Sequence, residues 1–305
     1  MFRFILRRAA LGLLVALTVM TLAFMLTRLS GDLAISIAGP GATQTDVEII
    51  RKAYGLDRPL YLQYASWIGR AAVGDLGTSF FFKDKVSNLI LARMPITMTL
   101  GLVGLSLALL ISIPLGILAA MREGTWIDRA VTVVTMVGQA TPSFWLGLIM
   151  MITFGLTLGW LPISGTGSWQ HFVMPGFVLA MTATPALTRL TRSGMIEAIS
   201  SDYIRTARAK GLSRASIIFK HALRNAAIPV VSIAAVQLGF MLGRSVVIET
   251  VFALHGVGFL AWESIAKNDF PVVQAVVLVL AIIYICLTML ADILNAILDP
   301  RIRAA

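Results

Sequence analysis

Residues 130–188 read AVTVVTMVGQATPSFWLGLIMMITFGLTLGWLPISGTGSWQHFVMPGFVLAMTATPALT, and this stretch contains no Asp, Glu, Lys or Arg. A membrane-spanning helix needs about 20 apolar residues to cross about 30 Å of hydrocarbon, so the stretch is too long for a single helix. The segment GWLPISGTGSW (159–169) interrupts it with Gly, Pro and Ser, which are typical of turns. We therefore predict two membrane-spanning helices here, near residues 131–157 and 171–190.

The composition of the whole chain agrees with a membrane protein. Hydrophobic residues make up 58% of the 305 residues and charged residues only 13%, whereas a typical soluble domain has about 25% charged residues. Other long apolar runs predict four further spans, within residues 8–28, 93–122, 225–252 and 272–294. The predicted fold class is an all-α polytopic membrane protein with six transmembrane helices and both termini on one side.

The distribution of Lys and Arg predicts the orientation in the membrane. The N-terminus, the 122–129 and 189–224 segments and the C-terminus carry most of the basic residues, whereas the 159–169 loop has none. Because short cytoplasmic segments are enriched in Lys and Arg, we predict that both termini are cytoplasmic. The first apolar run is longer than a signal-peptide core, so we predict a retained span.

The order of spans and loops predicts three regions. Residues 1–28 form a basic N-terminus and the first span, 29–93 an extracytoplasmic subdomain, and 94–305 a core of five spans with a cytoplasmic loop at 191–225. Within the subdomain, GPGATQTD (39–46) predicts a turn with a helix cap at Thr45 or Asp46. VEIIRKAYGL (47–56) then predicts a short amphipathic helix that ends near Gly55.

Several kinds of chemistry have no signature in this chain. There is no phosphate-binding G-x-x-x-x-G-K-[ST] motif, so we expect no ATP hydrolysis by this chain. The three histidines are far apart and Cys286 is the single cysteine, so we predict no metal site, no disulfide within the chain and no bound cofactor. Glu249 and Asp292 are the only acids predicted within spans, and this scarcity disfavours a self-powered ion-coupled transporter.

A basic segment, DYIRTARAKGLSRASIIFKHALRN (202–225), lies between the fourth and fifth predicted spans. We predict that Asp202 caps a helix of about two turns and that Gly211 ends it in a left-handed conformation. Ser213 is predicted to cap a second helix, which continues into the fifth span. On the first helix, the spacing predicts that Tyr203, Ala207 and Leu212 approach one side.

Three interpretations of this segment compete. A DNA-binding helix-turn-helix is disfavoured because the second helix runs directly into a span, and we predict no nucleic-acid partner. A loop resting on anionic membrane lipid gains about 1 kcal/mol per basic residue, but needs no capped helices. The third interpretation is a docking helix for a cytoplasmic partner, which explains the capped shape as well as the charge.

The motifs along the chain resemble a known family. RTARAKG (205–211) resembles the E-A-A-x-x-x-G loop of ABC-importer permeases, with Arg205 and Thr206 in place of Glu and Ala. The order of motifs is similar to the B-type subunit of the dipeptide/oligopeptide/nickel permease family, although HGVG (255–258) has His255 where this branch commonly has Pro. The matching motifs are GLDRPLYLQY (55–64), GDLGTS (74–79), RMPITMTL (93–100), TPSFWLGL (141–148), LPISG (161–165), HALRNAAIP (221–229), VIETVF (247–252) and LDPR (298–301).

This resemblance implies a type I ABC-importer permease in the inner membrane of a bacterial cell, which pairs with a second, similar permease to form a pore. It implies two ATPase subunits that bind ATP and Mg²⁺, and an extracytoplasmic solute-binding protein that delivers cargo. The expected cargo is a di- or oligopeptide; alternatives are nickel or another small solute and, much less favoured, a stand-alone transporter or channel. The residues expected to dock and couple the ATPase are Asp202, Tyr203, Arg205, Thr206, Ala207, Arg208, Lys210 and Gly211, with Ala207 and Gly211 providing the fit.

Arg244 is an unusual cation in the fifth predicted span. It lies 20 residues beyond Arg224, or about 30 Å along a helix, so it either reaches the outer interface as a structural cation or faces the pore mouth and attracts a carboxylate of the cargo. Glu249 is a second substrate-path candidate, although a role in holding the outer end of the span is favoured. Pro142, with Phe144 and Trp145, predicts a bend lined by aromatic side chains.

Overall fold

The computed structural model of the chain describes residues 2–29, 31–39 and 41–298, so Asp299, Arg301, Arg303 and most of the LDPR motif lie outside the described residues. The described chain is helical, and its only β-type pairing is an isolated bridge between Thr78 and Lys85. The α-helices are α1 (Phe2–Leu29), α2 (Leu33–Ala38), α3 (Gln44–Ala53), α4 (Leu60–Ala72), α5 (Val86–Met121), α6 (Trp126–Ala140), α7 (Ser143–Met150), α8 (Val173–Ser200), α9 (Asp202–Ala209), α10 (Leu223–Val251), α11 (Val257–Ala266) and α12 (Phe270–Leu298).

Five of the predicted spans have counterparts in single long helical segments of the described chain. By length and composition these segments are suited to cross a membrane, and they agree with five of the predicted positions. The segment that matches the predicted span at 171–190 continues to Ser200, and the one that matches the span at 225–252 begins within the basic segment, at Ser216. The five ranges are Leu6–Leu29, Val86–Met121, Trp169–Ser200, Ser216–Val251 and Phe270–Asn295.

The region of the predicted span near 131–157 is broken into two helical pieces. Two helical pieces, Trp126–Ala140 and Ser143–Thr157, meet at an angle of 96° and form a sixth span only if the bent pair crosses the membrane together. The bend lies at Thr141 and Pro142, as the aromatic-lined bend predicted. Pro142 has no N–H to continue the helix and drives Thr141 to an extended ψ of 126°.

The described chain divides into two compact units. The N-terminal unit comprises Phe2–Thr97 and His255–Ile285, and the central unit comprises Met98–Leu254 and residues 286–298. The breaks at residues 97 and 285 fall inside α5 and α12, so compact units and helices do not share their boundaries.

Close helix packing through small residues holds the central unit together. Helix α8 packs against both α10 and α6. A Cβ atom on Gly116 of α5 would lie 2.6 Å from the Thr191 Cβ and 2.9 Å from the Thr188 carbonyl oxygen of α8. Inside a membrane no hydrophobic driving force brings helices together, and small residues let their backbones approach closely. At Gly116 the space between α5 and α8 has room for a hydrogen atom but not for a methyl group.

A buried carboxylate organises the N-terminal unit. Asp269, at the start of α12, is fully buried and accepts hydrogen bonds from the Ser79 hydroxyl, the Phe80 amide (3.1 Å) and the Phe81 amide (3.3 Å). Nearby, an apolar core joins α5, α11 and α12 through Val86, Ile90, Val257, Leu260, Ala261, Val272, Ala275 and Val276. The carboxylate therefore fixes the loop that follows GDLGTS to the beginning of the last helix.

The cap of α3 lies two or three residues before the predicted position. Thr43 is the N-cap: its hydroxyl accepts from the Asp46 amide (3.3 Å), and its amide donates to the Asp46 carboxylate (3.0 Å). This reciprocal pairing satisfies two orphan donors at once. Hydrogen bonds from the Thr43 hydroxyl and amide lower the pKa of the Asp46 carboxyl, so the pairing persists at neutral pH and is lost only as pH falls. The helix ends at Ala53, and Gly55 has a φ of +63°.

We expect Gly116→Ala to destabilise the protein although alanine is the better helix former. The added methyl must displace α8, at a cost of about 1–3 kcal/mol, which exceeds the propensity gain of about 1 kcal/mol. Gly243→Ala is the matched control, since no atom lies within 4 Å of a Cβ at Gly243. The unfolding midpoint of the detergent-solubilised protein, followed by tryptophan fluorescence, should fall for Gly116→Ala alone. Equal midpoints would contradict the close contact.

We expect Asp269→Asn to destabilise the N-terminal unit. The amide retains one acceptor oxygen where the carboxylate offers two, and each buried donor left without a partner costs about 1–3 kcal/mol. Asp57→Asn is the control, because Asp57 is exposed in the α3–α4 connection. Limited proteolysis near residues 79–85 should accelerate in Asp269→Asn and stay unchanged in Asp57→Asn. Unchanged cleavage in both variants would show that the carboxylate does not hold the loop.

Candidate functional site

The predicted docking helix is present as α9, set off from α8 by one extended residue. Ser201 has φ −74° and ψ 154° and occupies the N-cap position, and its hydroxyl donates back to the Ala198 carbonyl (2.5 Å). Asp202 is therefore the first helical residue, and its predicted role as N-cap was wrong. A residue with helical backbone angles cannot act as the cap; instead the Asp202 carboxylate pairs with Arg205 at 3.2 Å on the exposed surface.

The C-terminus of α9 confirms the prediction for Gly211. This residue has φ +76°, its amide donates to the Arg208 carbonyl (3.0 Å), and the Leu212 amide donates to the Ala207 carbonyl (3.3 Å). These two bonds form a Schellman motif, which requires a left-handed residue at this position. No atom lies within 4 Å of a Cβ built on Gly211. Glycine is therefore required by backbone conformation and not by lack of space.

The second predicted helix is also confirmed and runs without a break into α10. Ser213 caps it: its hydroxyl accepts from the Ser216 amide (3.3 Å), and its carbonyl accepts from the Ile217 amide (3.0 Å). The segment Ser216–Ala222 is wound as a π-helix and passes directly into Leu223–Val251. The turn at Gly211 is thus joined by continuous helix to the far end of the fifth predicted span.

The buried face of α9 differs from the predicted one. Ile204 is fully buried and Ala207 is 6% exposed, and both belong to an apolar core formed with α8, the π-helical segment and α10. Tyr203 and Leu212 are exposed instead, and the Tyr203 hydroxyl accepts a hydrogen bond from Asn225 (2.8 Å). The i, i+3 pair lies on one helix face, and the prediction overlooked Ile204. The Ala207 methyl consequently packs inside this chain and is not presented to a partner in this conformation.

The opposite face of α9 is exposed and basic. Arg205, Thr206, Arg208 and Lys210 all lie on the surface. Beside them is a cavity of about 350 Å³ whose walls are mostly apolar and whose rim is basic, lined by Met121, Ile199, Arg208, Leu212, Arg214, Ile217 and Ile218. An apolar recess with a cationic rim suits one projecting side chain of a protein with an acidic or polar surface.

An ion pair next to this region was not predicted from the sequence. Arg192 of α8 makes two hydrogen bonds to the Asp128 carboxylate of α6 (2.6 and 2.7 Å), and the Gly124 amide donates to the same group (3.1 Å). Asp128 is buried. Its partner is 64 residues away, so no local spacing could reveal the pair. The bidentate geometry joins the start of α6 to α8.

The two candidate substrate-path residues lie in different environments and do not form a common site. Arg244 is exposed, whereas Glu249 is fully buried and accepts a hydrogen bond from the Ser245 hydroxyl (2.9 Å). Of the histidines, His171 bonds to Ser168, and the His255 ring packs against the Phe259 ring at a tilt of 57° with centroids 4.7 Å apart. Among the described residues, no group of three His, Cys, Asp or Glu side chains is arranged to hold a metal ion.

Comparison with known proteins covers nearly the whole chain. Residues 112–304 match the family described as binding-protein-dependent transport system inner membrane component, and residues 1–101 match the N-terminal domain described for the same family. The oligopeptide transport system permease protein AppB of Bacillus subtilis is 40% identical over 98% of this chain and 99% of its own. The glutathione transport system permease protein GsiC of Escherichia coli is 38% identical over 99% of both chains.

A solved structure shows the fold. A chain of the MetNI methionine ABC transporter, crystallised in an inward-facing conformation, superposes with a TM-score of 0.58 over 69% of this chain and 96% of its own, at 20% identity. At that identity the likeness shows the fold alone, which is that of a type I ABC-importer permease. Together with the two family matches, it establishes that this chain belongs to the inner membrane components of binding-protein-dependent transport systems.

Proposed function

We propose that this chain forms half of a transmembrane pore for di- or oligopeptides and receives its driving force through α9. The membership of the family implies ATPase and binding-protein partners. We further infer one second permease subunit and two ATPase subunits, with ATP and Mg²⁺ bound by the ATPases and no cofactor bound by this chain. The oligopeptide and glutathione permeases among its relatives support a peptide cargo.

The observation that carries the coupling role is the anchoring of α9. Ile204 and Ala207 fix one face of the helix to the core shared by α8 and α10, and the Schellman turn at Gly211 fixes its end. A helix held on one side by apolar packing and joined to a span by continuous helix moves as a rigid body with that span. Closure of the ATPases under α9 would therefore tilt α10, which is the type of two-state transition that alternating access requires.

The exposed face supplies the contact with the ATPase. Arg205, Arg208 and Lys210 would meet acidic or polar groups, and the adjoining cavity would receive one side chain of the partner. Asp202, paired with Arg205, and Thr206, whose hydroxyl donates to the Asp202 carbonyl (3.1 Å), would keep the first turn ordered. This face is cytoplasmic if both termini are cytoplasmic, as the distribution of Lys and Arg favours.

The function is tested by isolating the chain from its native membrane and measuring transport. An importer permease should co-purify with a second permease and an ATPase, and proteoliposomes of the complex should take up labelled peptide only with ATP and the binding protein. Nickel, another small solute and glutathione serve as alternative cargoes in the same assay. Ion conduction by the isolated chain without ATP would contradict the proposal.

Gly211→Glu should abolish peptide uptake while the subunit remains in the membrane. A side chain in the left-handed region costs about 1–2 kcal/mol, and the carboxylate would sit within the basic face. Gly211→Asn should retain part of the activity, because Asn tolerates this conformation. Gly159→Glu is the control, with φ +64° and equally open space in the 159–169 loop. Normal uptake by Gly211→Glu would rule out the coupling role.

Arg244→Ala should weaken uptake of peptides with a free C-terminal carboxylate by about tenfold, which matches the loss of one charged hydrogen bond. Uptake of the same peptides with an amidated C-terminus should be unchanged, and Arg244→Lys should restore most of the loss. The ratio of free to amidated peptide transported by each variant is the measurement. An equal loss for both peptides, or no loss, would assign Arg244 to structure.

A further inference from the structure

Besides the mostly apolar cavity next to α9, a polar cavity lies in the N-terminal unit. It has no part in the proposed coupling. Its volume is about 300 Å³, and the end of α1, the α3–α4 connection, α4, the GDLGTS loop and the start of α12 form its walls. The chemically important lining residues are Arg28, Arg58, Gln63, Trp67, Arg70 and Asp75.

The cavity has an excess of positive charge. Its lining contains three arginines and one acid, Asp75, whose carboxylate accepts a hydrogen bond from the Gly77 amide (3.0 Å). In the described part of the chain, no carboxylate forms an ion pair with Arg28, Arg58 or Arg70. A cluster of like charges repels itself, so this arrangement is stable only beside a counter-ion or in good contact with solvent.

Part of the Arg28 guanidinium is buried, so solvent cannot hydrate all of its charge. Its Nε and Nη1 atoms are buried and hydrogen-bond to no protein group among the described residues, and its guanidinium carbon lies 4.9 Å from the centre of the Phe24 ring. Leaving buried donors of a charged group unpaired is costly. The planar fork of a guanidinium matches an oxyanion with two acceptors, such as a phosphate. The unpaired arginine donors therefore favour the binding of an anion in this cavity.

The depth of Arg28 indicates where that anion comes from. Arg28 is the penultimate residue of the apolar segment Leu6–Leu29, which at 1.5 Å per residue slightly exceeds the hydrocarbon thickness of about 30 Å. If this segment spans the membrane, the Arg28 guanidinium lies at the level of the lipid phosphates. The neighbouring Leu29 and Tyr61 are 81% and 70% exposed, and the aromatic lining by Tyr54 and Trp67 is typical of the membrane interface.

We propose that this cavity binds the phosphate of an anionic phospholipid, with Arg28 at its floor and Arg58 and Arg70 at its rim. The acyl chains lie against the exposed apolar surface at the end of α1. The bound lipid neutralises the three arginines and ties α4 and the GDLGTS loop to the membrane surface. This site is independent of the cargo and of the role of α9, because it requires only the depth of α1 and the local charge.

The test is native mass spectrometry of the complete transporter in detergent, titrated with phosphatidylglycerol, phosphatidylcholine or inorganic phosphate. Wild type should retain one phosphatidylglycerol more tightly than phosphatidylcholine. Arg28→Gln, and separately the Arg58→Gln/Arg70→Gln double variant, should each lower that affinity by about tenfold. Arg122→Gln, which removes an exposed cation of the central unit, should have no effect. Because Arg58 and Arg70 are exposed, the double variant should fold normally. It therefore tests the site even if Arg28→Gln misfolds.

Three results would overturn the proposal. Equal retention of phosphatidylglycerol by wild type and both cavity variants would show that no lipid is held there. Displacement of the lipid by millimolar inorganic phosphate would assign the cavity to a free anion. Unchanged lipid binding together with weaker binding of the solute-binding protein to the variants would assign the arginines to a protein interface.

Discussion

In a hydrocarbon environment every backbone N–H and C=O must find a partner within the protein, because no water is present to replace it. This constraint explains why the described chain consists of helices, and why loops are placed where apolar runs stop. Since lipid tails are as apolar as leucine, burial cannot drive helix association, and close contact must do so. The approach of Gly116 to Thr188 and Thr191 is such a contact. Helix α8, which packs against α6 and α10, also contacts α9 and so joins it to that framework.

The basic segment (202–225) is the part of the chain where this constraint is weaker. At the cytoplasmic surface proposed for it, water can satisfy exposed polar groups, so a short helix with one apolar face is possible. Two buried side chains, Ile204 and Ala207, are enough to orient α9 because they lie on the same face. The basic residues then point outward as a consequence, and no specific contact is needed to arrange them. A face of this kind is a suitable surface for a partner that has to move the span.

Charged groups inside the helical framework have a different role from those of α9. Asp128 with Arg192, and Asp269 with three donors, are each fully satisfied by partners distant in sequence. Such groups hold elements in register, since a buried carboxylate is tolerable only where its donors converge. The Arg28 cavity contrasts with both, because there the donors outnumber the acceptors the described chain provides. That difference separates a structural ion pair from a candidate binding site.

The sequence by itself determined the helical class, five of the span positions, the bend at Pro142, the Gly211 turn and the cap at Ser213. Each depends on local rules: the length of an apolar run, the missing N–H of proline, or the left-handed conformation of glycine. The tertiary structure alone decided that the two helical pieces at this bend meet at 96°, that Ile204 is buried and Tyr203 exposed, and that Arg192 meets Asp128. These outcomes depend on which surfaces come together. Periodicity identifies an apolar face, and the sequence shows each charged residue. Neither identifies the distant element that packs against that face or pairs with that charge.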